Sequence, residues 1–382
     1  MPRESLRSRI LKQKSVEDPR KLLYEEYGVL RNPFPSAAQT SGHPRMLTEA
    51  DDQIVAQILQ FYSDGEHKSH VIAVTAGQGI GKTNLLNFYE RELRDAFEPE
   101  GYFIIRYIPD PEPSFDPLIR TIFDALGEDH LKDLANALAK QQKDEDVEFC
   151  LKDLRSEDMK RMLHSLCQAA RNGQPEINEV AKLAQEWLLG LRVYKAHRDG
   201  LKIRYRLDTV ESKTRALRDL VVCSYSTGKL QGIFLLLDEL EKQDVSLSKT
   251  MVVRYLFAIR ALIDALPRNL FLMMALTTDA LERYSEMIPA LQGRLANEVQ
   301  LRPLKNSGEA VGLYRFYHNK ARDSAREEAP ESWRAGSSDI VSADVVHTVF
   351  QQLYASSTIE GVRQRDFLNR LHQRAQKAID QI

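Results

Sequence analysis

The chain contains 382 residues, 43% hydrophobic and 28% charged, enough for one large domain or two to three smaller ones. Its 53 basic and 55 acidic side chains nearly cancel, which excludes a protein that binds nucleic acid through its overall charge. The start of the chain has no apolar leader, and no apolar run approaches the roughly 20 residues of a membrane-spanning helix. We therefore expect a cytoplasmic protein with no membrane partner.

The cysteines are few and widely spaced. Cys150, Cys167 and Cys223 are odd in number, which is typical of reduced thiols in the cytoplasm. Neither they nor the nine histidines show the spacing of metal ligands. We expect no disulfide framework and no zinc site.

The first 45 residues are predicted to form a basic arm followed by an irregular segment. Residues 1–21 carry seven basic side chains against three acidic ones, so the arm is either solvated or a contact for a partner. The prolines of Asn32-Pro33-Phe34-Pro35 then impose irregular backbone, and residues 48–62 have the apolar spacing of an amphipathic helix. The arm residues that could contact nucleic acid are Arg3, Arg7, Arg9, Lys12 and Lys14.

The most informative segment is a glycine-rich turn between an apolar run and a helix-like stretch. Residues 76–83 read Ala-Gly-Gln-Gly-Ile-Gly-Lys-Thr, which matches the P-loop pattern with alanine at its usual first glycine. Glycines allow backbone N–H groups to surround an anion, and the following helix directs its positive end toward it. The alternative is a glycine-rich turn without a ligand. The residues predicted to bind nucleotide are Gly77, Gln78, Gly79, Ile80, Gly81, Lys82, Thr83 and Asn84.

Two side chains of this segment have predicted chemical roles. Lys82 supplies a point charge for the β- and γ-phosphates, and the Thr83 hydroxyl is a candidate Mg²⁺ ligand. The cofactors predicted from the pattern are ATP and Mg²⁺.

A second motif follows an apolar strand. Residues 232–237 are uniformly apolar, which is typical of a parallel strand buried on both faces, and Asp238 and Glu239 come directly after them. Ligands bind at the carboxyl ends of strands in open α/β sheets. We expect Asp238 to hold Mg²⁺ through water and Glu239 to polarise the attacking water. The alternative is that Asp238 caps a following helix.

The remaining pattern predicts a parallel sheet with helical connections. The strands are predicted at 70–76, 102–108, 232–238, 270–277 and 298–303. Residues 128–218 have repeated helical apolar spacing and exceed what one crossover requires, so they are predicted to form a helical insertion. Beyond residue 306 the pattern is again helical, with a loop expected between Asp323 and Ile340.

Three later positions complete the predicted site. Thr277, or Thr278, either senses the γ-phosphate at a strand end or caps the next helix. Arg294 resembles a finger that reaches a neighbouring subunit's phosphate, with a surface arginine paired to an acid as the alternative. Near the chain end, Arg365 or Arg363 could contact the same nucleotide from a lid, and we favour Arg365.

In this order, the motifs resemble the AAA+ superfamily, origin-recognition-like clade, over about residues 27–375. The runs 186–190 (Glu-Trp-Leu-Leu-Gly), 217–220 (Leu-Arg-Asp-Leu) and 364–368 (Gln-Arg-Asp-Phe-Leu) are similar to bacterial ATP-binding proteins of BREX-type phage-exclusion systems. Gln364 departs from the proline that usually precedes the lid arginine there. The Tyr27-Gly28 and Asn32-Pro33-Phe34 run instead resembles bacterial ATPases of secretion and transposition control.

The resemblance implies an AAA+-like three-layer αβα core over residues 46–305, with the insertion at about 128–218, and a C-terminal helical lid over 306–382. Residues 1–45 would be the arm and a nucleotide-pocket segment. It also implies ATP hydrolysis by a homo-oligomeric ring or filament, with Arg294 acting between subunits. The partners would be DNA and an effector protein encoded nearby, in anti-phage defence.

The alternative implied function is an ATP-switched scaffold or transposition-type regulator that recruits an effector and hydrolyses ATP slowly. In either case, DNA contacts must come from local clusters, because the chain's charge is nearly balanced. A second candidate cluster lies in the insertion and comprises Arg192, Lys195, Arg198, Lys202, Arg204 and Arg206. Solvated basic faces are the alternative interpretation of both clusters.

Overall fold

The computed structural model describes residues 18–39, 42–109, 115–141, 144–241, 248–295 and 297–382. The predicted basic arm, with Arg3, Arg7, Arg9, Lys12 and Lys14, lies outside the described residues. The described chain forms two compact units. The first contains the residues up to Thr48 together with Gly77–Asn84 and Leu301–Ile382, and the second contains Glu49–Ala76 and Leu85–Gln300.

Five strands and fifteen helices are assigned within the described residues. The strands are β1 His70–Thr75, β2 Tyr102–Tyr107, β3 Gly232–Leu237, β4 Leu270–Leu276 and β5 Asn297–Gln300. The helices are α1 Pro19–Tyr27, α2 Glu49–Ser63, α3 Lys82–Phe97, α4 Phe115–Ala139, α5 Asp144–Leu151, α6 Glu157–Asn172, α7 Gln174–Leu188, α8 Lys195–Leu201, α9 Val210–Ser226, α10 Lys249–Ala265, α11 Thr278–Met287, α12 Pro289–Gln292, α13 Ser307–Glu328, α14 Ala343–Ala355 and α15 Gln364–Ile379. None of these helices is long and apolar enough to span a membrane.

The sheet is parallel throughout, in the order β2-β3-β4-β1-β5. All five predicted strands are therefore present, although four of them end one residue earlier than predicted. The largest difference is β5, predicted at 298–303, which ends at Gln300. Beyond it, Leu304 exchanges backbone hydrogen bonds with Val362 and so belongs to the first unit.

Side chains of the sheet alternate between two helical layers. Phe234 of β3 lies 5.4 Å from the ring of Phe61 on α2 and 5.1 Å from that of Phe97 on α3. Its neighbour Leu235 belongs to the opposite core, together with residues of α4 and α10 such as Ile122 and Ile259. Since successive side chains of a strand point to opposite faces, the sheet has helices on both sides. This three-layer arrangement, with a glycine loop between β1 and α3, confirms the predicted α/β P-loop NTPase fold.

Six of the described helices lie between β2 and β3, in the region predicted as a helical insertion. Their apolar stripes are buried as expected, with Leu131, Met162 and Trp187 at the centre of the main core. Gly127, at φ 70° and ψ 174°, interrupts α4 one residue before the predicted start of the insertion. A residue other than glycine would be strained there.

The first unit has its own apolar core and the predicted helical C-terminal region. Phe34 of the irregular N-terminal segment stacks on Tyr314 of α13, with 5.6 Å between ring centroids. Asn32 donates a hydrogen bond to the carbonyl oxygen of His372 on α15. The predicted loop at 323–340 was too long, because α13 continues to Glu328, with Ala325 buried in its last turns.

Candidate active site

The turn that follows β1 adopts the backbone that its glycines permit. The last core position is Ala76, whose N–H donates to the carbonyl oxygen of Leu276 on β4. Gly79 has φ 80° and Gly81 has φ 110°, both in the left-handed region that other residues rarely adopt. Helix α3 then begins at Lys82. Left-handed positions just before a helix amino end are the geometry of an anion-binding turn.

The side chains of this turn divide into buried and accessible ones. Gly77 and Gln78 are exposed, whereas Ile80 is buried. A Cβ at Gly77 would lie 3.3 Å from Cδ1 of Ile80. Lys82 is only 9% exposed and Asn84 is equally buried, while Thr83 is half-buried. The first turn of α3 therefore combines a buried lysine with a half-buried threonine.

The start of α15 lies directly against this turn, within the first unit. The N–H of Arg365 donates to the carbonyl oxygen of Gly79 at 3.1 Å. A Cβ at Gly79 would lie 3.6 Å from both Arg363 Cδ and Arg365 Cβ, and a Cβ at Gly81 would lie 3.6 Å from Gln364 Oε1. The structure thus brings both candidate lid arginines to the glycine turn. The direct backbone bond belongs to Arg365.

Asp238 is held at the end of β3 by contacts to β2. Its N–H donates to the carbonyl oxygen of Tyr107, which extends the strand pairing by one bond. Its side chain is fully buried and accepts a hydrogen bond from Arg106 Nη2 at 2.7 Å. Glu239 and Leu240, the residues with which a helix capped by Asp238 would begin, are not helical.

Glu239 occupies an unusual backbone position. Its φ is 52°, in the left-handed region, which costs a non-glycine residue of the order of 1 kcal/mol. Such strain persists where the surrounding structure imposes it, and it is frequent at functional sites. Glu239, whose carboxylate we expect to polarise water, therefore has a strained backbone and directly follows the buried Asp238.

Arg106 was missed by the sequence analysis. It is the only charged residue in β2, which reads Tyr-Phe-Ile-Ile-Arg-Tyr, and its side chain is 10% exposed. Burial lowers the pKa of the Arg106 guanidinium, while the carboxylates of Asp238, Glu90 and Glu239 raise it. A lone charge in an otherwise apolar strand beside β3 is the feature that could have identified it.

Thr277 caps the helix that follows β4. Its Oγ1 accepts a hydrogen bond from the N–H of Ala280 at 3.2 Å, as the capping alternative predicted. Its hydroxyl hydrogen can still be donated to a ligand, so phosphate sensing by Thr277 stays a prediction. Because β3 and β4 are parallel neighbours, Thr277 and Asp238 lie at the same edge of the sheet.

Arg294 lies toward the opposite edge. Its Nε donates to Asp264 Oδ1 at 2.9 Å, and its side chain is 47% exposed. It lines a hollow of about 530 Å³ together with His70, which begins β1, and Pro267, which precedes β4. Arg294 therefore has the acidic partner that the alternative interpretation expected. Action between subunits stays a prediction.

No protein-family model and no curated protein matches the chain. Among solved structures, the chain is similar to the ORC2 protein of Aeropyrum pernix in its ADPNP–ADP complexes. The two share 14% sequence identity over 86% of this chain and 67% of that chain, with a TM-score of 0.39. The fold assignment accordingly rests on the sheet order and on the position of the glycine turn.

Proposed function

We propose that the protein is a Mg²⁺-dependent ATPase that converts ATP and water to ADP and phosphate. One observation carries the proposal. A turn with two left-handed glycines follows the carboxyl end of β1, and a fully buried aspartate with an adjacent glutamate follows the carboxyl end of β3. Parallel strands place these two ends at one edge of the sheet, where ligands bind in α/β folds.

Lys82 and the turn would bind the triphosphate. The backbone N–H groups at the start of α3 and the Lys82 ammonium group supply positive charge for the β- and γ-phosphates. Arg365, whose backbone already contacts Gly79, would bind the same phosphates, and Arg363 lies within reach of the same glycine. This explains why two arginines occur at a helix start, where the helix dipole disfavours positive charge.

The residues present also fit a magnesium ion. Mg²⁺ prefers hard oxygen ligands and keeps several waters, so the Thr83 hydroxyl and the Asp238 carboxylate, with phosphate oxygens, form a suitable donor set. When bound, the ion neutralises charge on the transferred phosphoryl group. Glu239 would orient and polarise the attacking water, and Thr277 would donate its hydroxyl hydrogen to the γ-phosphate.

We further propose a homo-oligomeric ring or filament in which Arg294 acts on the neighbouring subunit's nucleotide. Its position toward the sheet edge opposite Asp238 supports a role outside its own site. The biological role that we propose is nucleic-acid-associated anti-phage defence in bacteria, with DNA and an effector protein encoded nearby as partners. This role rests on the sequence resemblance.

A second function, an ATP-switched scaffold with slow hydrolysis, is favoured by the Arg106–Asp238 bond. A guanidinium group bonded to the proposed metal carboxylate competes with a metal ion for the same oxygen atoms. DNA that strongly stimulates turnover would support a motor or clamp. Assemblies that persist with ATP and show little turnover would support the scaffold.

The test of ATP hydrolysis compares three variants by phosphate release and by binding of a fluorescent ATP analogue. Glu239→Gln should bind nucleotide as the wild type does and lose at least about 100-fold in turnover, because it lacks the basic carboxylate. Lys82→Ala should lose binding itself. Glu92→Gln, an exposed change on α3, is the control and should behave as the wild type. Wild-type turnover by Glu239→Gln would remove Glu239 from the mechanism.

A further inference from the structure

The connection between α7 and α9 carries a strong local positive charge. Residues 192–206 include six basic side chains and one acidic one, although the whole chain has a net charge of −2. All six basic side chains are exposed. Two tyrosines, Tyr194 and Tyr205, are interspersed with them. We call these eight side chains the basic tyrosine surface: Arg192, Tyr194, Lys195, Arg198, Lys202, Arg204, Tyr205 and Arg206.

The inner side of this connection is firmly attached to the insertion. His197, Leu201 and Ile203 are buried. The Nε1 of the buried Trp187 donates to the carbonyl oxygen of Tyr205 at 2.9 Å. The Nε of Arg206 also donates to the carbonyl oxygen of Gly190 at 2.9 Å. The connection is therefore a packed element whose outer side chains face solvent.

Helix α8 separates its charged face from its buried face. Lys195 and Arg198 are three residues apart on α8, which places them on one side of the helix, and Lys202 follows the helix as its C-cap at φ 58°. His197 and Leu201 occupy the buried side. Among the residues that the structure describes, no carboxylate lies within ion-pair distance of these three cations. An unneutralised row of cations attracts phosphates, whose binding releases counterions.

The two tyrosines of this segment expose their aromatic rings. Tyr194 is 58% exposed and Tyr205 is 74% exposed. The guanidinium carbon of Arg192 lies 5.5 Å from the centroid of the Tyr194 ring. The backbone of Tyr205 is held on both sides, because its N–H donates to Asp158 and its carbonyl oxygen accepts from Trp187. Its ring is therefore presented to solvent from a fixed position.

We propose that the basic tyrosine surface binds single-stranded nucleic acid, with phosphates on the cations and unpaired bases stacked on Tyr194 and Tyr205. Aromatic rings interspersed with cations are the arrangement that binds single strands without sequence preference. A duplex keeps its base faces stacked internally and cannot use the rings in this way. The proposal specifies the nucleic-acid partner of the proposed function, but it does not require ATP hydrolysis.

The first test uses a fluorescein-labelled oligothymidylate of about 20 nucleotides and the full chain, with binding followed by fluorescence anisotropy. The combined Tyr194→Ala and Tyr205→Ala variant should bind the single strand about tenfold or more weakly. Its affinity for a duplex of the same length should change by less than about twofold. Tyr354→Ala on α14 removes a similarly exposed tyrosine and should have no effect. The same measurement with an oligouridylate shows whether DNA or RNA is preferred.

The second test examines the cations. Replacing Lys195, Arg198 and Lys202 by glutamine should weaken binding. The slope of log affinity against log salt concentration should become shallower by about 2. The matched control replaces Arg370, Arg374 and Lys377 on α15 by glutamine, which removes the same charge from another exposed row. Equal weakening by the control, or no single-strand binding at low salt, would overturn the proposal.

The two proposals can fail separately. Glu239→Gln should bind the oligonucleotide as the wild type does, and the surface variants should retain basal ATP turnover without nucleic acid. A protein that lacks turnover but shows the tyrosine effect would refute the proposed ATPase and keep this inference. A protein that hydrolyses ATP and binds the duplex as tightly as the single strand would refute this inference alone.

Discussion

The guanidinium group of Arg106 and the carboxylate of Asp238 form a buried hydrogen-bonded ion pair, with 2.7 Å between Nη2 and Oδ2. Arg106 lies on β2 and Asp238 follows β3, so the pair joins two neighbouring strands at the proposed metal carboxylate. Because both groups are removed from water, each depends on the other more than an exposed pair does. This bond determines the electrostatics of the proposed hydrolysis site before any ligand binds.

Arg106→Met should lower the free energy of unfolding by about 3 kcal/mol, because the buried Asp238 carboxylate loses a charged partner. Denaturant unfolding without nucleotide measures this. Arg94→Met, which removes an arginine from exposed pairs on α3, should cost less than about 0.5 kcal/mol. The double change Arg106→Met with Asp238→Leu should be less destabilising than Arg106→Met alone. A single variant as stable as the wild type would show that the pair contributes nothing.

The Glu239→Gly variant should be more stable toward unfolding than the Glu239→Ala variant, because the backbone at residue 239 has a positive φ. We expect the free energy of unfolding of Glu239→Gly to exceed that of Glu239→Ala by about 1 kcal/mol. The same pair of substitutions at Glu92, inside α3, should show the reverse order, since glycine weakens helix interiors. Both glycine and alanine at 239 should abolish turnover. Greater stability of the alanine variant would indicate that Glu239 is unstrained in solution.

Arg294 should act between subunits if the oligomer proposal is right. Arg294→Ala and Glu239→Gln should each be inactive alone, and mixing them should restore part of the turnover. Recovery follows because some interfaces then combine an intact arginine with an intact glutamate, and it should increase with protein concentration. Asp264→Asn, which removes the partner of Arg294 within its own chain, should retain turnover. No recovery at any mixing ratio, with ATP bound and the oligomer intact, would exclude a finger between subunits.

Acidic pH should destabilise the second unit through His130. Burial lowers its pKa to about 4, while an unfolded histidine titrates near 6.5. Between these values the unfolded chain binds the extra proton, so stability is present above about pH 6.5 and is lost as the pH falls toward 4. From pH 7.5 to 5, this one group should cost about 2 kcal/mol.

The measurement is denaturant unfolding at pH 7.5 and 5 for the wild type and His130→Gln. Glutamine can still bond to Ser224, the partner of His130 Nε2, but it does not titrate. The variant should therefore lose about 2 kcal/mol less than the wild type between the two pH values. Equal losses for the wild type and His130→Gln would show that burial does not hold His130 neutral in the folded protein.

Local sequence patterns predicted the elements of this fold well, for a physical reason. Apolar runs bounded by polar residues predicted β1, β3 and β4, because a strand buried on both faces must be apolar throughout. Helical spacing predicted the buried stripes of the insertion, including Leu131 and Trp187. The glycines of the turn predicted its left-handed backbone, because conformation at a single residue is a local property. The ends of β5 and α13 were less predictable, since tertiary contacts determine where an element stops.

The sequence by itself therefore determined the α/β class, the glycine turn ahead of Lys82 and the acidic end of β3. Tertiary structure alone decided which distant residues meet: Arg106 with Asp238, Gly79 with Arg365, and Arg294 with Asp264. These contacts join residues between 30 and 286 positions apart. Periodicity and turn chemistry act over only a few residues, so neither carries information about such pairs. They follow from strand order and helix packing, which exist only once the whole chain is folded.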